Sequence, residues 1–332
     1  MTADRRNLHR RISSDLARRC DDELAELVAT GTAGNVGVGG GSTVLDVDGV
    51  KVFAKSVPLT DRELANPEST ANLFDLPVWC QYGTGGPGFN AWRELAANII
   101  VTDGVLSGAT QAFPMLYHWR VLPGRPPIAA EHTDIDLVVA AHDGSSAVRT
   151  RLEALATASS SLVLFGEYIR HPMRDWLREN PTGKAAAVAR QLSEIVRFLA
   201  DRELLHMDGH FENMRSDGER IYLSDFGLAT SPRFELSPAE RAFASQHATH
   251  DADYAAMRLV NWLVTSVCGV PTSDGPVALL EYVRRCAAGQ IPDDVSPPVH
   301  AIVREQAPAA ARMNTFYWKL FGGDIHAKYP AA

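Results

Sequence analysis

The stretch Leu204 to Gly227, LLHMDGHFENMRSDGERIYLSDFG, places Asp208, Asn213 and Asp225 around a short hairpin that turns at Asp217-Gly218. Because a hairpin folds the chain back on itself, it can bring Asn213 close to Asp225, twelve residues further on. One Asp and one Asn offer hard oxygen ligands, and Mg2+ takes one or two of these together with phosphate oxygens. Asp208, a few residues earlier, can orient a hydroxyl or accept its proton. Together these residue types fit phosphoryl transfer to an alcohol.

A second group lies far upstream. Only five of the 32 basic residues are lysines, and one of them, Lys55, ends the strand-like run VKVFAK directly after a glycine-rich stretch. In GVGGGSTV, Gly37, Gly39, Gly40 and Gly41 expose backbone N–H groups, which side chains at those positions would obstruct. A long cation needs a carboxylate to fix its position. Glu94, in the amphipathic run AWRELAANII, is preferred for that role, and Glu63 in LTDREL is the competitor. A rival anion loop, GTGGPG at 83–88, contains Pro87, which has no N–H to offer, and no Lys-Ser/Thr pair follows it.

The elements that must carry these residues follow from periodicity. Leu8, Ile12, Leu16, Cys20, Leu24 and Leu27 recur at helical spacing and predict one surface helix within residues 1–30. Asp48-Gly49 between VLDV and VKVF predicts an antiparallel hairpin, with the glycine stretch as the loop leading into it. Residues 56–90 are rich in Pro, Gly, Asn and Thr, and the family resemblance set out below implies that they are an insertion, expected to act as a substrate lid. Beyond it, 91–105 predicts a helix, 113–121 and 161–169 strands, and 146–157 a helix. After about residue 172 the pattern becomes helical, broken by the strand pair ENMRS and RIYLS, with a last helix near Ala309 to Leu320. The expected layout is α+β: an N-terminal helix (1–30), a β-rich lobe (31–169) and a helical lobe (170–332).

Composition narrows the partners. The chain has 332 residues, with 32 Lys+Arg against 40 Asp+Glu and a formal charge of −8, which argues against nucleic acid as the main partner. Cys20, Cys80, Cys268 and Cys286 lack metal-ligand spacing and read as thiols of a reducing compartment. No apolar run reaches the roughly 18 residues of a membrane span, and the charged start is unlike a secretory signal. A cytoplasmic protein without a membrane partner is expected.

These motifs resemble the protein-kinase-like superfamily, which includes protein kinases and aminoglycoside phosphotransferases. LLHMDGHFENM is similar to its catalytic loop, LSDFGLA to its metal-binding segment, VKVFAK to the strand of its ATP lysine, and LVLFGEYIRHPMRDWL to its interlobe hinge. The resemblance runs from about Gly37 to Asp253 and implies a bilobal fold using ATP and Mg2+. It gives Asp208 as catalytic base, Lys55 and Glu94 as the phosphate-binding pair, and Asn213 and Asp225 as metal ligands. Gly37, Gly39, Gly40, Gly41 and Ser42 would cover the phosphates. Glu167, Tyr168 and Ile169 would offer backbone groups to adenine, between Val44 and Ala54 on one side and Met214 on the other. His210 would touch the transferred phosphate or the substrate, or else pack within its loop.

Departures from the family bear on the acceptor. Met207 replaces the arginine that many protein kinases carry before the catalytic Asp, which argues against a switch through a phosphorylated loop. Ser237-Pro238-Ala239-Glu240 reads as a capping box in preference to the APE motif. Asp253 would anchor the helix beneath the catalytic loop, or serve as an N-terminal helix acid. A small hydroxylated acceptor is expected, with a cationic antibiotic such as an aminoglycoside as one instance, met by Asp251, Asp253 or Glu240. A protein Ser/Thr kinase and a catalytically silent nucleotide-binding module are the alternatives.

Overall fold

A computed structural model describes residues 2–271, 275–292 and 294–330. The chain divides into two compact units, Met1–Ile169 with Asp225–Ala242, and Arg170–Ser224 with Phe243–Ala332. The architecture is α+β.

The first unit begins with α1 (Thr2–Arg18) and α2 (Asp21–Thr30). The single expected helix is two, because Cys20 is extended and its N–H is taken by Glu23 of α2 at 2.8 Å. Neither helix is only a surface element, since Ile12, Leu16 and Leu24 are fully buried. There follow β1 (Thr32–Gly37), β2 (Gly40–Val47) and β3 (Val50–Leu59), so part of the expected glycine loop is itself a strand. Asp48 and Gly49 both take positive φ, 51° and 73°, as a tight two-residue hairpin requires. Next come α3 (Asp61–Leu64), α4 (Ala91–Ser107), β4 (Leu116–Pro123), α5 (Ile135–Ala141), α6 (Ser146–Ala156) and β5 (Ser160–Glu167). The five strands form one antiparallel sheet in the order β1-β2-β3-β5-β4.

The two faces of this sheet have different covers. On one, Val57, Leu59, Leu162 and Leu164 pack with Ala91, Trp92 and Leu95 of α4. The other faces α1 and α2, where Asp21 reaches Arg120 at 3.2 Å. Asn90 caps α4 by accepting the Trp92 N–H at 2.9 Å. A second core joins the segment before α4 to the segment carrying α5 and α6, through Phe74, Leu76, Phe89, Val138, Val148 and Leu152. At its edge Arg151 grips the fully buried Glu63 with two hydrogen bonds of 2.7 and 2.9 Å.

The second unit contains β6 (His171–Pro172), α7 (Met173–Arg178), α8 (Pro181–Asp201), β7 (Met214–Ser216) and β8 (Ile221–Leu223). After α9 (Pro238–Gln246), whose first turn belongs to the first unit, come α10 (His250–Ser266), α11 (Gly275–Ala287) and α12 (Pro297–Phe321). Asn180 caps α8 and Pro181 occupies its first turn. α8, α10, α11 and α12 pack together, while β6, β7 and β8 form a small antiparallel sheet. α12 starts a dozen residues before the expected Ala309, because Pro297 and Pro298 suit a first turn and Pro308 lies on its exposed side. Among the described residues no helix is long and apolar enough to cross a membrane.

Candidate functional site

Within the first unit, β3 delivers Lys55 between two carboxylates. Its Nζ donates to Glu94 Oε1 at 2.7 Å and to Asp225 Oδ1 at 2.8 Å. Glu94 comes from the first turn of α4, and the competitor Glu63 is committed to Arg151, Thr60 and the Ala91 N–H. The two carboxylates differ in access: the Glu94 side chain is 4% exposed and that of Asp225 is 43% exposed. Burial works against the Lys55 charge, but Asp225 and Glu94 outweigh it and hold the ammonium well above the ordinary lysine range. Burial pushes the Glu94 carboxyl up to about 7, against the pull of Lys55 and with help from Asp225.

Over this cluster lies the turn between β1 and β2, where Gly37 pairs with Gly40 across Val38 and Gly39. A Cβ on Gly39 would stand 3.0 Å from Lys55 Nζ. Gly40 has φ 120°, and a Cβ there would meet the Ser56 carbonyl at 2.2 Å, so only glycine fits. A Cβ on Gly41 would strike Pro126 at 2.8 Å, while Gly37 is open. Ser42 donates its hydroxyl to the Asn35 carbonyl at 3.0 Å.

Side-chain alternation corrects one expected contact. Val44 shares a sheet face with Lys55, but Ala54 points to the opposite face, and Phe53 is the neighbour on the Lys55 face. The periodicity needed to see this was present in VKVFAK. The strand expected at 161–169 ends earlier, because β5 stops at Glu167 and leaves Tyr168 and Ile169 outside it, and Glu167 has further partners. Its N–H donates to the Met115 carbonyl at 2.8 Å, and its carboxylate binds Arg5 of α1. Lys51 Nζ lies 5.6 Å from the Tyr168 ring centre.

The glycines at 83–88 are packed against histidines. The Gly85 carbonyl meets His132 at 2.9 Å, and a Cβ on Gly86 would strike His142 at 2.7 Å. The 56–90 segment holds the stretch after Asp225: Gln81 donates to the Leu228 carbonyl, and the Thr70 N–H donates to Glu235 at 3.0 Å.

Within the second unit, the Asn213 amide donates to the Asp208 carbonyl at 2.9 Å and to its carboxylate at 3.1 Å. His210 Nε2 is 3.5 Å from that carboxylate, and both side chains are about one quarter exposed, at 26% and 27%. Met214 is buried in β7. Ser224, the residue before Asp225, donates its N–H and its hydroxyl to the Asn213 carbonyl, each at 2.9 Å. Met207 has φ 66° and, in the first unit, Asp225 has φ 65°. Such conformations persist where surrounding bonds over-determine them.

The anchor of this loop is Asp251, where the sequence pointed to Asp253. Asp251 accepts the His206 N–H at 2.6 Å and the Met207 N–H at 3.0 Å. Asp253 binds Thr249 at 3.1 Å and Tyr329 at 2.7 Å. Both acids lie in the first turn of α10, so sequence position alone does not separate them. Glu240 closes a capping box with Ser237 and pairs with the buried Arg93 at 2.6 Å. Asp251 and Glu240 are therefore committed inward and do not present charge to a cationic acceptor. Among the described residues, no group of three or more His, Cys, Asp or Glu side chains could hold a metal ion. No family model matches the chain, and no curated protein sequence matches it.

Proposed function

We propose that the chain is an ATP- and Mg2+-dependent phosphotransferase of the protein-kinase-like type that acts on the hydroxyl of a small molecule. The observation that carries this reading is Lys55, held between Glu94 and Asp225 under the Gly39 turn. A fixed lysine under backbone N–H groups is suited to grip phosphate oxygens. The oxygens of Asp225 and Asn213 suit a hard divalent cation, which when bound would neutralise phosphate charge. Asp225 is the accessible carboxylate of its cluster, and the Asn213 amide nitrogen faces Asp208, which turns its oxygen away. Asp208 would orient the acceptor hydroxyl and take up its proton.

A small acceptor is favoured over a polypeptide because Ser237 and Glu240 are consumed by a helix cap and an ion pair, and because a buried Met207 precedes Asp208. The test is turnover of labelled ATP against aminoglycosides, nucleosides, peptide antibiotics and a generic basic protein. Asp208→Asn is expected to lower turnover by roughly 10²- to 10⁴-fold with nucleotide binding kept. Asp225→Ala is expected to abolish Mg2+-dependent nucleotide binding. Wild-type turnover in Asp208→Asn would refute the assignment.

A further inference from the structure

The segment after α12 returns along the second unit to the start of α10. There the Tyr329 hydroxyl donates to Asp253 Oδ2 at 2.7 Å and lies 3.1 Å from the Thr249 hydroxyl. Its ring lies 4.6 Å from that of His247, which is stacked on Phe243 at 3.8 Å. Thr249 is the N-cap residue of α10, yet its side chain bonds Asp253 and Tyr329 and caps no helix N–H. The first turn of α10 is thus fastened from outside by Tyr329.

That same turn holds the Asp208 loop. His250 is fully buried, with Nε2 3.0 Å from the Tyr317 hydroxyl of α12 and Nδ1 3.2 Å from Asp251. Asp251 in turn accepts the His206 and Met207 N–H groups. His206 Nδ1 accepts the Asp208 N–H at 3.2 Å, which leaves Nε2 to donate to the Ser224 carbonyl at 3.0 Å. An unbroken set of hydrogen bonds and covalent links therefore runs from Tyr329 through the turn at 249–253 to the backbone of Asp208.

We infer that Tyr329 is a positioning residue: with His250 it fixes the first turn of α10, and through Asp251 it sets the backbone of the loop bearing Asp208. This rests on the reading of Asp208 as the residue that meets the acceptor hydroxyl. Two carboxylates two residues apart divide the work, one facing the terminal segment and one facing the loop.

The test uses the full chain and two variants. Tyr329→Phe removes only the hydroxyl, and Tyr329→Ala removes the ring as well. Hydrogen exchange read by mass spectrometry should show exchange of peptides covering 204–210 accelerated about tenfold in Tyr329→Ala and less in Tyr329→Phe, with the β2–β3 hairpin unchanged. In the turnover assay the alanine variant should lose about tenfold in kcat with the KM for ATP unchanged. Unaltered exchange at 204–210, with acceleration confined to the terminal segment, would overturn the inference. A wild-type chain that transfers phosphate to no acceptor would overturn the functional reading instead, and the exchange result would still decide whether Tyr329 sets the 204–210 loop.

Discussion

Replacing Glu94 by glutamine removes one charge from the Lys55 cluster while keeping its shape. In the wild-type chain one ammonium faces two carboxyl groups, so the cluster carries a net negative charge once Glu94 ionises. Burial raises the Glu94 carboxyl from an ordinary 4.5 to about 7. Between those values the folded chain holds a proton that the unfolded chain has released, so stability falls as pH rises through this window. At 1.36 kcal/mol for each pH unit, the loss on going from pH 4.5 to 7 is on the order of 3 kcal/mol. Lys55 stays charged throughout the window, and its attraction for the ionised Glu94 is already contained in the Glu94 shift. Glu94→Gln has no proton to release and retains Asp225 as the Lys55 partner. With an unfolding entropy of about 2 cal/mol/K per residue over 332 residues, the variant should gain about 4 °C in Tm relative to wild type between pH 4.5 and 7. Thermal unfolding followed by circular dichroism at half-unit pH steps measures this difference, and other titrating groups cancel in it. Parallel profiles for the two proteins would refute the placement of a raised carboxyl at Glu94.

Two stability predictions complete the set. Gly40→Ala should cost more than about 2 kcal/mol and abolish nucleotide binding, because φ is 120° and the new Cβ strikes the Ser56 carbonyl. Gly49→Ala, also at positive φ but with nothing within 4 Å, should cost only about 1 kcal/mol, and chemical denaturation compares the two. Arg151→Met leaves the Glu63 carboxylate buried without its cation and should cost about 3–5 kcal/mol. Adding Glu63→Gln should restore part of that loss in the same assay.

Local signals explain what could be read in advance. Asp48-Gly49 sets its hairpin because both residues tolerate positive φ, and Asn90 starts α4 because its side chain caps the helix. The approach of Glu94 to Lys55 followed from an amphipathic helix able to lie on the sheet. The missed features depend on partners remote in sequence. Arg151 and Glu63 are 88 residues apart, and neither segment alone shows that they share a core. The break at Cys20 rests on one side-chain bond from Glu23, too small a signal beside the helical repeat around it. The choice of Asp251 over Asp253 depends on helix phase against a loop. Ala54 was a different kind of error, since counting by two from Lys55 leads to Phe53.

Those remote partners also account for the strained backbone of Asp225. A non-glycine residue at φ 65° costs roughly 1–3 kcal/mol, so something must hold it. Phe226 beside it is 1% exposed and packs against Phe113 with ring centres 6.2 Å apart, and burying such a side chain contributes about 1.5–3 kcal/mol. Gln81 holds the Leu228 carbonyl, and Thr70 and Glu235 exchange two hydrogen bonds of 2.9 and 3.0 Å, each contributing about 1 kcal/mol. These anchors exceed the strain without counting the bond between Asp225 and Lys55. The carboxylate is therefore set in place by the 56–90 segment and by Phe113 before any charge pairing. Phe226 anchors from within the Asp-Phe-Gly run, where the Gly227 N–H also meets Asp225 Oδ1 at 3.3 Å, while Gln81 and Thr70 anchor from the 56–90 segment, so the acid is held from both sides.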